Sequence, residues 1–416
     1  MSQKNGERFD HWIESYAKRA GSLSISEVRA LFAVVSRPEV VSLAGGMPNV
    51  SSLPKELISE SFERLMASRG DMALQYGGGQ GDLKLREQIH EIMALEGIHS
   101  SVEDLVITTG SQHGLELLAG LFLDEGDVVI AEGPSYVGAL GIFNHYLAHV
   151  EHVFTDDAGM SPEALEEAID RLKQSGKTIK LLYLVPNFAN PSGVTLSKQR
   201  RPKILEIAKR NHILVIEDNP YGLLYFDKKP PEALRSLDDN VVYLGSFSKI
   251  LVPGFRVGYV LAPPPIREKL VLAQESAILC PSAFSQMLIS EYLATADWRA
   301  QVDNFRGVYR ERKDAALKAM KEHLPNLKTT KPDGGFYLWV DLPEGLDSKA
   351  MLPLAVKELV AYTPGTAFFG DGGGKGNLRI CYSYPTPERI DLGIKRLSNV
   401  INLQVELQET FGKGAK

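Results

Sequence analysis

The stretch SFSKILVPGFRVGY, residues 246–259, places two positively charged side chains inside apolar sequence. The segment before it, VVYLG (241–245), has the composition of a buried strand, and FRVGYVLA (255–262) alternates like a second strand. Lys249 lies between these strands and Arg256 lies in the second. Because an unpaired charge is costly to bury, each cation needs an anionic partner, or the lysine must be neutral or used in chemistry.

The sequence around Lys249 offers no acidic side chain that could pair with these cations. Asp and Glu are absent from residues 244–261. Ser246 and Ser248 add two hydroxyl donors, and this set of groups suits a phosphate. The stretch therefore predicts an anionic ligand, while a surface lysine at the end of a strand remains the alternative.

The composition indicates a globular protein rather than a nucleic-acid or membrane protein. The chain has 416 residues, with 44% hydrophobic and 24% charged residues and a net charge of −6. It contains no strongly basic stretch and no apolar segment with the length of a membrane span or the pattern of a signal peptide. The two cysteines, Cys280 and Cys381, are far apart, which predicts a reducing, cytoplasmic location without disulfides.

Short apolar segments alternate with helical ones along most of the chain. The apolar segments are LVITT (105–109), DVVIAE (127–132), HVEHVF (149–154), KLLYLV (180–185), HILVIED (212–218), VVYLG (241–245) and FRVGYVLA (255–262). They predict an α/β fold with a mostly parallel, seven-stranded sheet between helices. This large domain is expected over residues 51–295 and a smaller α+β domain over 296–416. Residues 1–50 are expected to form an N-terminal arm and part of the small domain.

Two helices are predicted near the N-terminus. Phe9, Trp12, Ile13 and Tyr16 have helical spacing, which gives one apolar face for packing against this chain or a partner chain. A second helix is expected over residues 26–36, because a proline follows two residues later.

Polar and aromatic side chains follow the strands at their carboxyl ends, where open α/β sheets bind ligands. They are Ser111 and Gln112 after LVITT, Tyr136 after DVVIAE, Asn190 after KLLYLV, Asp218 at the end of HILVIED, and Tyr221 three residues after Asp218. Ser111 opens a helix whose free N–H groups favour a phosphate, although an ordinary helix cap gives the same pattern. Arg379 lies in the apolar strand NLRICYS (377–383), and its planar guanidinium suits a carboxylate.

Three weaker motifs do not predict a site. GGGQG (77–81) does not follow a strand, as a dinucleotide-binding loop would, and GDGGGKG (370–376) lacks the strand and the Ser or Thr of a P-loop. His145, His149 and His152 pass from a helix into a strand, which disfavours a metal site. We therefore expect no bound metal.

Together, these motifs resemble the fold-type I pyridoxal-phosphate aminotransferases of class I/II. SFSKILVPGFRVGY, NPSG (190–193), DNPY (218–221) and Arg379 occur in the family's order and at similar spacing. The resemblance extends from SLAGGMPN (42–49) through ALQYGGGQGDLKLRE (73–87) to NLRICYS. The LAGG and LQY segments are similar to those of the aminoadipate/kynurenine aminotransferase branch. The resemblance implies an aspartate-aminotransferase-like fold.

The resemblance implies pyridoxal 5'-phosphate as cofactor and a role for each residue of the crevice. Lys249 would bond covalently to the cofactor and move the substrate proton. Asp218 would pair with the ring nitrogen. Asn190 and Tyr221 would hydrogen-bond the ring hydroxyl, and Tyr136 would stack on the ring. The phosphate would be held by Arg256, Ser246, Ser248, Ser111 and Gln112.

The resemblance also implies a homodimer with shared active sites, because Tyr76 resembles a tyrosine that reaches the phosphate of the neighbouring subunit. Arg379 would bind the substrate α-carboxylate, helped by Asn190 and the backbone of Gly46. Arg29 stands where this branch places a residue that contacts the substrate side chain. It would bind a distal carboxylate, with a plain surface arginine as the alternative.

The implied reaction is transamination by a ping-pong mechanism. The amino donor would be an L-amino acid (aminoadipate, glutamate, aromatic or branched-chain), and the acceptor a 2-oxo acid such as 2-oxoglutarate. A pyridoxal-phosphate β-lyase or decarboxylase on the same fold is the alternative. A non-catalytic regulator domain is disfavoured by the presence of Lys249 and by the short segment before SLAGG, which is too short for a winged helix.

Overall fold

The large and small parts of the fold are built on three β-sheets. A computed structural model describes residues 10–23 and 37–411 of the chain. In chain order the strands are β1 (Val41–Ser42), β2 (Leu105–Thr108), β3 (Val128–Gly133), β4 (His149–Asp156), β5 (Gly159–Met160), β6 (Ile179–Leu184), β7 (Leu214–Asp218), β8 (Val242–Ser246), β9 (Gly258–Leu261), β10 (Tyr337–Asp341), β11 (Val360–Ala361), β12 (Thr363–Pro364) and β13 (Asn377–Cys381). The largest sheet contains β2 to β9, and the other strands form two small sheets.

Helices pack on both faces of the largest sheet and form much of the remaining chain. In chain order the described α-helices are α1 (Lys55–Ala73), α2 (Leu83–Ala94), α3 (Ser111–Phe122), α4 (Val137–His145), α5 (Pro162–Gln174), α6 (Arg200–Arg210), α7 (Pro264–Ile278), α8 (Ala283–Thr295), α9 (Trp298–His323), α10 (Ser348–Lys357) and α11 (Pro387–Phe411). Several begin at a side-chain cap, as where Asp82 and Ser161 accept a first-turn N–H of α2 and α5. None of these described helices combines the length and the apolar character needed to cross a membrane.

The largest sheet has the strand order β2-β9-β8-β7-β6-β3-β4-β5. Its central strands β8, β7, β6, β3 and β4 are parallel, whereas β9 is antiparallel to both of its neighbours, β2 and β8. The predicted α/β fold with a mostly parallel sheet is confirmed. The sheet has eight strands instead of seven, because the two-residue strand β5 folds back antiparallel onto β4.

The strand directions bring the predicted ligand-binding loops to one edge of the sheet. Since β9 is antiparallel on both sides, β2 runs in the same direction as β8. The carboxyl ends of β2, β3, β6, β7 and β8 therefore lie at the same edge. All residues of β2, β8 and β9 are buried, which explains why these segments are apolar throughout rather than alternating.

A smaller α+β unit is built mainly from the C-terminal part of the chain. β10, β13 and β12 form an antiparallel sheet, and α9 packs against α11. β1 pairs in parallel with β11, through Val41 with Val360 and Ser42 with Ala361. This pairing is consistent with an N-terminal arm that joins the small domain. The boundaries 51–295 and 296–416 remain a proposal.

The first predicted helix does not form in the described residues. Residues 11–15 form turns, in which the Asp10 carboxylate accepts the N–H of Trp12 and the Trp12 carbonyl accepts the N–H of Ser15. A short 3₁₀ helix, Lys18–Ser22, follows. Trp12 and Ile13 are 68% and 71% exposed, so no described surface covers the apolar stripe that would stabilise a helix. Phe9 and the predicted helix 26–36 lie outside the described residues.

Candidate active site

A cavity of about 840 Å³ lies at the carboxyl edge of the large sheet, where the small unit faces it. The sequence-predicted residues that line it are Gly46, Ser111, Gln112, Tyr136, Asn190, Asp218, Tyr221, Ser246, Ser248, Lys249, Arg256 and Arg379. Two predicted residues are not in this set. Tyr76 is 77% exposed on the surface, and Arg29 lies outside the described residues. The structure thus brings together side chains from both parts of the chain.

Lys249 follows β8 and lines the cavity. Its Nζ donates a 3.0 Å hydrogen bond to the Gly46 carbonyl and lies 5.8 Å from the centre of the Phe336 ring. Burial lowers the pKa of Lys249 from 10.5 to about 8, and the positive charges of Arg379 and Arg256 also lower it. A lysine with this pKa is partly neutral near neutral pH, so its amine can act as a nucleophile or a base.

Asp218, the last residue of β7, is a buried carboxylate with one satisfied oxygen. Its Oδ2 accepts a 2.7 Å hydrogen bond from the Tyr183 hydroxyl, and its Oδ1 has no partner among the described residues. Burial raises the pKa of Asp218 to about 6, while the Tyr183 hydrogen bond and the Lys249 charge oppose the rise. An additional cationic or N–H group at Oδ1 would stabilise the charged form.

Two glycines allow the N-terminus of α3 to reach the cavity. Gly110, just before Ser111, has a φ of 81°, and a Cβ there would lie 2.5 Å from Nη2 of Arg256. A Cβ on Gly258 of β9 would lie 2.3 Å from the backbone nitrogen of Ser111. Glycine at both positions lets β9, the Arg256 guanidinium and the first turn of α3 pack together. The free N–H groups of α3 therefore lie beside a cation, an arrangement that favours an anion.

Ser246, Ser248 and Arg256 form a cluster of hydroxyl and cationic groups next to this helix end. The Ser246 hydroxyl accepts the N–H of Ser248 at 3.1 Å, and Arg256 Nη1 donates to the Ser248 hydroxyl at 3.3 Å. Arg256 has a left-handed backbone conformation, with a φ of 52°. No ion pair joins Arg256 to a carboxylate within residues 10–23 and 37–411. The cluster can accept the phosphate predicted from the sequence.

Arg379, on β13, is 2% exposed. Its Nη1 donates to Asn190 Oδ1 at 2.7 Å, and its Nη2 donates to the backbone carbonyls of residues 44 and 45, both at 2.6 Å. The guanidinium carbon lies 4.4 Å from the centre of the Tyr337 ring and 4.9 Å from that of Phe368. No described carboxylate pairs with this buried charge, so the residue is suited to bind a carboxylate from a ligand.

Asn190 and Tyr221 meet at a third side chain, Tyr337 of β10. The hydroxyl groups of Tyr221 and Tyr337 are 3.2 Å apart, and Asn190 Nδ2 lies 3.4 Å from the Tyr337 hydroxyl. Tyr221 and Tyr337 are both buried, with their rings in an edge-to-face arrangement. These contacts fix the position of polar groups that would otherwise rotate at the cavity wall.

Tyr136 and Gln112 form a hydrogen-bonded pair at the side of the cavity. The Tyr136 hydroxyl donates to Gln112 Oε1 at 3.1 Å, and Gln112 Nε2 donates to the Gly138 carbonyl at 3.2 Å. Burial raises the pKa of Tyr136 to about 12, with the Asp218 charge acting in the same direction. Tyr136 therefore remains a neutral aromatic ring, held in place at the start of α4.

Sequence reasoning missed several residues of the site. Tyr183 and Tyr337 lie in apolar strands, where a tyrosine hydroxyl must find a partner, and this was the signal that could have identified them. Met47, Val50 and Tyr384 give part of the cavity an apolar wall. Their neighbouring sequence carries no comparable signal, because the long-range fold alone brings them together.

Comparison with known proteins gives the family. The sequence model described as aminotransferase class I and II matches residues 39–397. The chain belongs to this family. Aromatic-amino-acid aminotransferase 1 of Thermococcus litoralis is 38% identical over 395 residues, covering 94% of this chain and 95% of that protein. The 2-aminoadipate transaminase of Thermus thermophilus is 35% identical, covering 94% and 97% of the two chains.

A solved structure supports the same assignment. Kynurenine aminotransferase of Pyrococcus horikoshii superimposes with a TM-score of 0.90 at 40% identity, covering 94% of this chain and 98% of that chain. The sequence-based predictions of the fold and of a place near the aminoadipate/kynurenine branch are confirmed. This aminotransferase is a pyridoxal-phosphate-dependent enzyme that catalyses transamination.

Proposed function

We propose that this aminotransferase holds its cofactor in the cavity around Lys249 and uses the residues gathered there for both half-reactions. The supporting observation is that complementary groups converge in one cavity. They are a buried lysine with a lowered pKa, a buried carboxylate oxygen without a described partner, an arginine beside a helix N-terminus, and a second buried arginine without a described carboxylate. Pyridoxal phosphate offers an aldehyde, a ring nitrogen and a phosphate that match the first three groups, and the substrate carboxylate matches the fourth.

The phosphate is proposed to bind at the N-terminus of α3. Ser111, Ser246 and Ser248 offer hydroxyl groups there, Arg256 supplies the positive charge, and Gln112 lies on the same turn of α3. The helix dipole and free N–H groups act in the same direction. The anionic ligand predicted from the stretch 246–259 would then neutralise cations whose surrounding sequence, residues 244–261, contains no Asp or Glu.

The ring of the cofactor is proposed to lie between the sheet edge and Tyr136. Asp218 Oδ1 would accept a hydrogen bond from the protonated ring nitrogen, and this second partner would keep the carboxylate charged. Tyr221 and Asn190 would hydrogen-bond the ring hydroxyl. When bound, the cofactor stabilises the electron pair that remains on the substrate after its α-proton is removed.

Lys249 and Arg379 are proposed to handle the substrate. Arg379 would bind the α-carboxylate, with Asn190 and the backbone of Gly46 completing that end of the site. The Lys249 amine, neutral in part because burial lowers its pKa to about 8, would remove the α-proton and return it at the next step. The same residues would serve both half-reactions, so we expect ping-pong kinetics.

We propose a broad amino donor range with 2-oxoglutarate as an acceptor. The apolar wall formed by Met47, Val50 and Tyr384 favours aromatic and branched-chain donors, in line with the aromatic and kynurenine activities named for two relatives. Lys249, Arg256 and Arg379 are the basic residues among the described lining, and the roles above use all three. Aminoadipate and glutamate would therefore depend on Arg29 for binding their distal carboxylate.

A half-reaction screen tests this range. Each amino acid is added to the purified holoenzyme, and the loss of the visible absorbance band of the cofactor is followed for native protein and for Arg29→Ala. We expect the variant to need about tenfold more aminoadipate or glutamate, the usual effect of one lost ion pair, and unchanged amounts of phenylalanine or leucine. Equal effects on acidic and neutral donors would rule out this role for Arg29. Pyruvate and ammonia from a β-substituted amino acid would instead favour a lyase.

We further propose a cytoplasmic homodimer with shared active sites and without nucleic-acid or membrane partners. Tyr76, Met72 and Leu74 are all more than half exposed at the end of α1, which is a suitable contact surface for a second subunit. Tyr76 would reach the phosphate site of the partner. The net charge of −6 and the two unpaired cysteines support the absence of nucleic acid and the location. A monomer in light scattering, with cofactor still bound, would contradict the shared site.

A further inference from the structure

Tyr337 occupies a central position that the roles proposed above do not use. Its ring lies 4.4 Å from the guanidinium carbon of Arg379, and its hydroxyl contacts both Tyr221, at 3.2 Å, and Asn190, at 3.4 Å. The residue is buried and lines the cavity. One side chain therefore touches the proposed carboxylate site and both residues proposed for the ring hydroxyl.

The direction of the hydrogen bonds through Asn190 follows from chemistry. A guanidinium has only N–H donors, so the atom of Asn190 that faces Arg379 at 2.7 Å must be the amide oxygen. The amide nitrogen then faces Tyr337 and donates to the oxygen of its hydroxyl group. No other orientation of the Asn190 amide satisfies both neighbours.

The contact between the two tyrosines allows either hydroxyl to donate. In one of these two directions, the Tyr337 oxygen accepts from Asn190 and the Tyr337 hydrogen lies on the Tyr221 oxygen, 3.2 Å away. Tyr221 then keeps its own hydrogen for a group in the cavity, and the four side chains form one series of donors from Arg379 through Asn190 and Tyr337 to Tyr221.

We propose that Tyr337 is a positioning residue that connects the carboxylate site to the ring hydroxyl of the cofactor through this series of hydrogen bonds. Each donor polarises the next, so the Tyr337 hydroxyl makes Tyr221 a stronger donor than it would be alone. A stronger donor stabilises the deprotonated ring hydroxyl. The inference rests on the proposed function, because it takes Tyr221 as the partner of that hydroxyl.

The test is a spectrophotometric pH titration of the bound cofactor in native holoenzyme and in Tyr337→Phe. Loss of the hydroxyl weakens the Tyr221 donor, so the midpoint of the visible absorbance change should move upward, by about half a pH unit or more. Arg379, Tyr136 and Cys381 are the other titratable or charged groups that act on Tyr337, and all three remain in the variant. Tyr337→Leu also removes the hydroxyl and carries the test if Tyr337→Phe does not fold.

Two comparisons separate this effect from general damage. Tyr362→Phe removes a buried hydroxyl that donates to the Ser348 carbonyl away from the cavity lining, and it should leave the midpoint unchanged. In a Tyr221→Phe background, Tyr337→Phe should add no further shift, because Tyr337 acts through Tyr221.

The outcomes distinguish the inference from the function on which it rests. An unchanged midpoint in Tyr337→Phe, or an equal shift in both backgrounds, would overturn the inference while the proposed cofactor site stands. A native protein that shows no visible band after addition of pyridoxal phosphate would overturn both. An upward shift that disappears in the Tyr221→Phe background supports the series of hydrogen bonds.

Discussion

Asp218 illustrates how single residues set the chemistry of this site. Its Oδ2 is held by Tyr183 at 2.7 Å, and burial raises its pKa to about 6. The Tyr183 hydrogen bond stabilises the charged carboxylate and therefore lowers the pKa relative to burial alone. Tyr183 thus acts on the charge of Asp218, the residue proposed to pair with the ring nitrogen of the cofactor.

Tyr183→Phe tests this dependence at the residue scale. Without the hydroxyl, the pKa of Asp218 should rise further, so a larger fraction is protonated at a given pH. We expect the dissociation constant of the cofactor to increase about tenfold, the effect of one lost hydrogen bond to a charged group. The loss should be greater at pH 6 than at pH 8, because a higher pKa leaves Asp218 neutral mainly on the acidic side. Fluorescence titration of the protein with the cofactor at pH 6 and at pH 8 measures the two dissociation constants.

Tyr243→Phe is the matched control for this prediction. The Tyr243 hydroxyl donates to the buried carboxylate of Glu96 at 2.6 Å, outside the cavity lining. Its removal should lower stability but leave the pH dependence of cofactor binding unchanged. A Tyr183→Phe enzyme with native affinity at both pH values would contradict the role given to Tyr183.

Residues of the site differ in how well sequence reasoning could place them. Lys249, Asp218 and Arg379 are charged groups in apolar segments. Because a buried charge requires a partner, the neighbouring sequence alone was enough to identify them as candidate site residues. Tyr183 and Tyr337 are ordinary residues for buried strands, and their roles depend on which strand lies next to them. The order β7-β6 and the pairing of β10 with β13 arise from contacts distant in sequence. Arg29 lies outside the described residues, and its role, like the roles of the other site residues, remains a proposal.

At the scale of elements, the site depends on how closely β9 approaches the start of α3. A Cβ on Gly258 would lie 2.3 Å from the Ser111 nitrogen and 2.5 Å from the Gly110 carbonyl carbon. These are backbone atoms, so a side-chain rotation cannot relieve the overlap. The position of the helix N-terminus, and with it the proposed phosphate site, requires glycine at this position.

Gly258→Ala should displace the first turn of α3. We expect a loss of about 1–3 kcal/mol of stability from the overlap, together with weaker retention of the cofactor phosphate. Thermal unfolding with and without pyridoxal phosphate measures both effects, since a ligand stabilises only in proportion to its affinity. The difference between the two unfolding temperatures should shrink in the variant.

Gly141→Ala provides the comparison for Gly258→Ala. Gly141 is exposed within α4, with no atom within 4 Å of an added Cβ. Alanine is the better helix former there and should stabilise the protein by about 0.5–1 kcal/mol without altering cofactor retention. If Gly258→Ala behaved like Gly141→Ala, the close approach of β9 to α3 would not matter for the site.

The elements themselves could be predicted where burial dictates the pattern. The seven predicted segments all became strands of the large sheet, and β2, β8 and β9 are apolar throughout because every one of their residues is buried. The N-terminal stripe of Trp12, Ile13 and Tyr16 did not become a helix, because an amphipathic helix needs a surface against its apolar face. β5 has only two residues, too few to give a periodic signal.

At the scale of the whole molecule, the site exists because two parts of the chain close over one edge of the sheet. Lys249 and Asp218 come from the large sheet, whereas Arg379 comes from the small antiparallel sheet. Gly46, whose carbonyl accepts the Lys249 hydrogen bond, comes from the segment after β1. One buried apolar cluster runs through both parts, which fixes their relative position. The side chains proposed to bind the cofactor and the substrate are therefore supplied by different regions of one fold.

The role proposed for Lys249 is tested most directly by locating the residue to which pyridoxal phosphate is covalently attached. The holoenzyme is reduced with borohydride, digested, and analysed by peptide mass spectrometry, with Lys249→Ala treated in parallel. We expect the reduced cofactor on Lys249 in native protein, and neither that modification nor the visible absorbance band in the variant. Attachment at another lysine, or a Lys249→Ala protein that keeps the band and full turnover, would contradict the central claim.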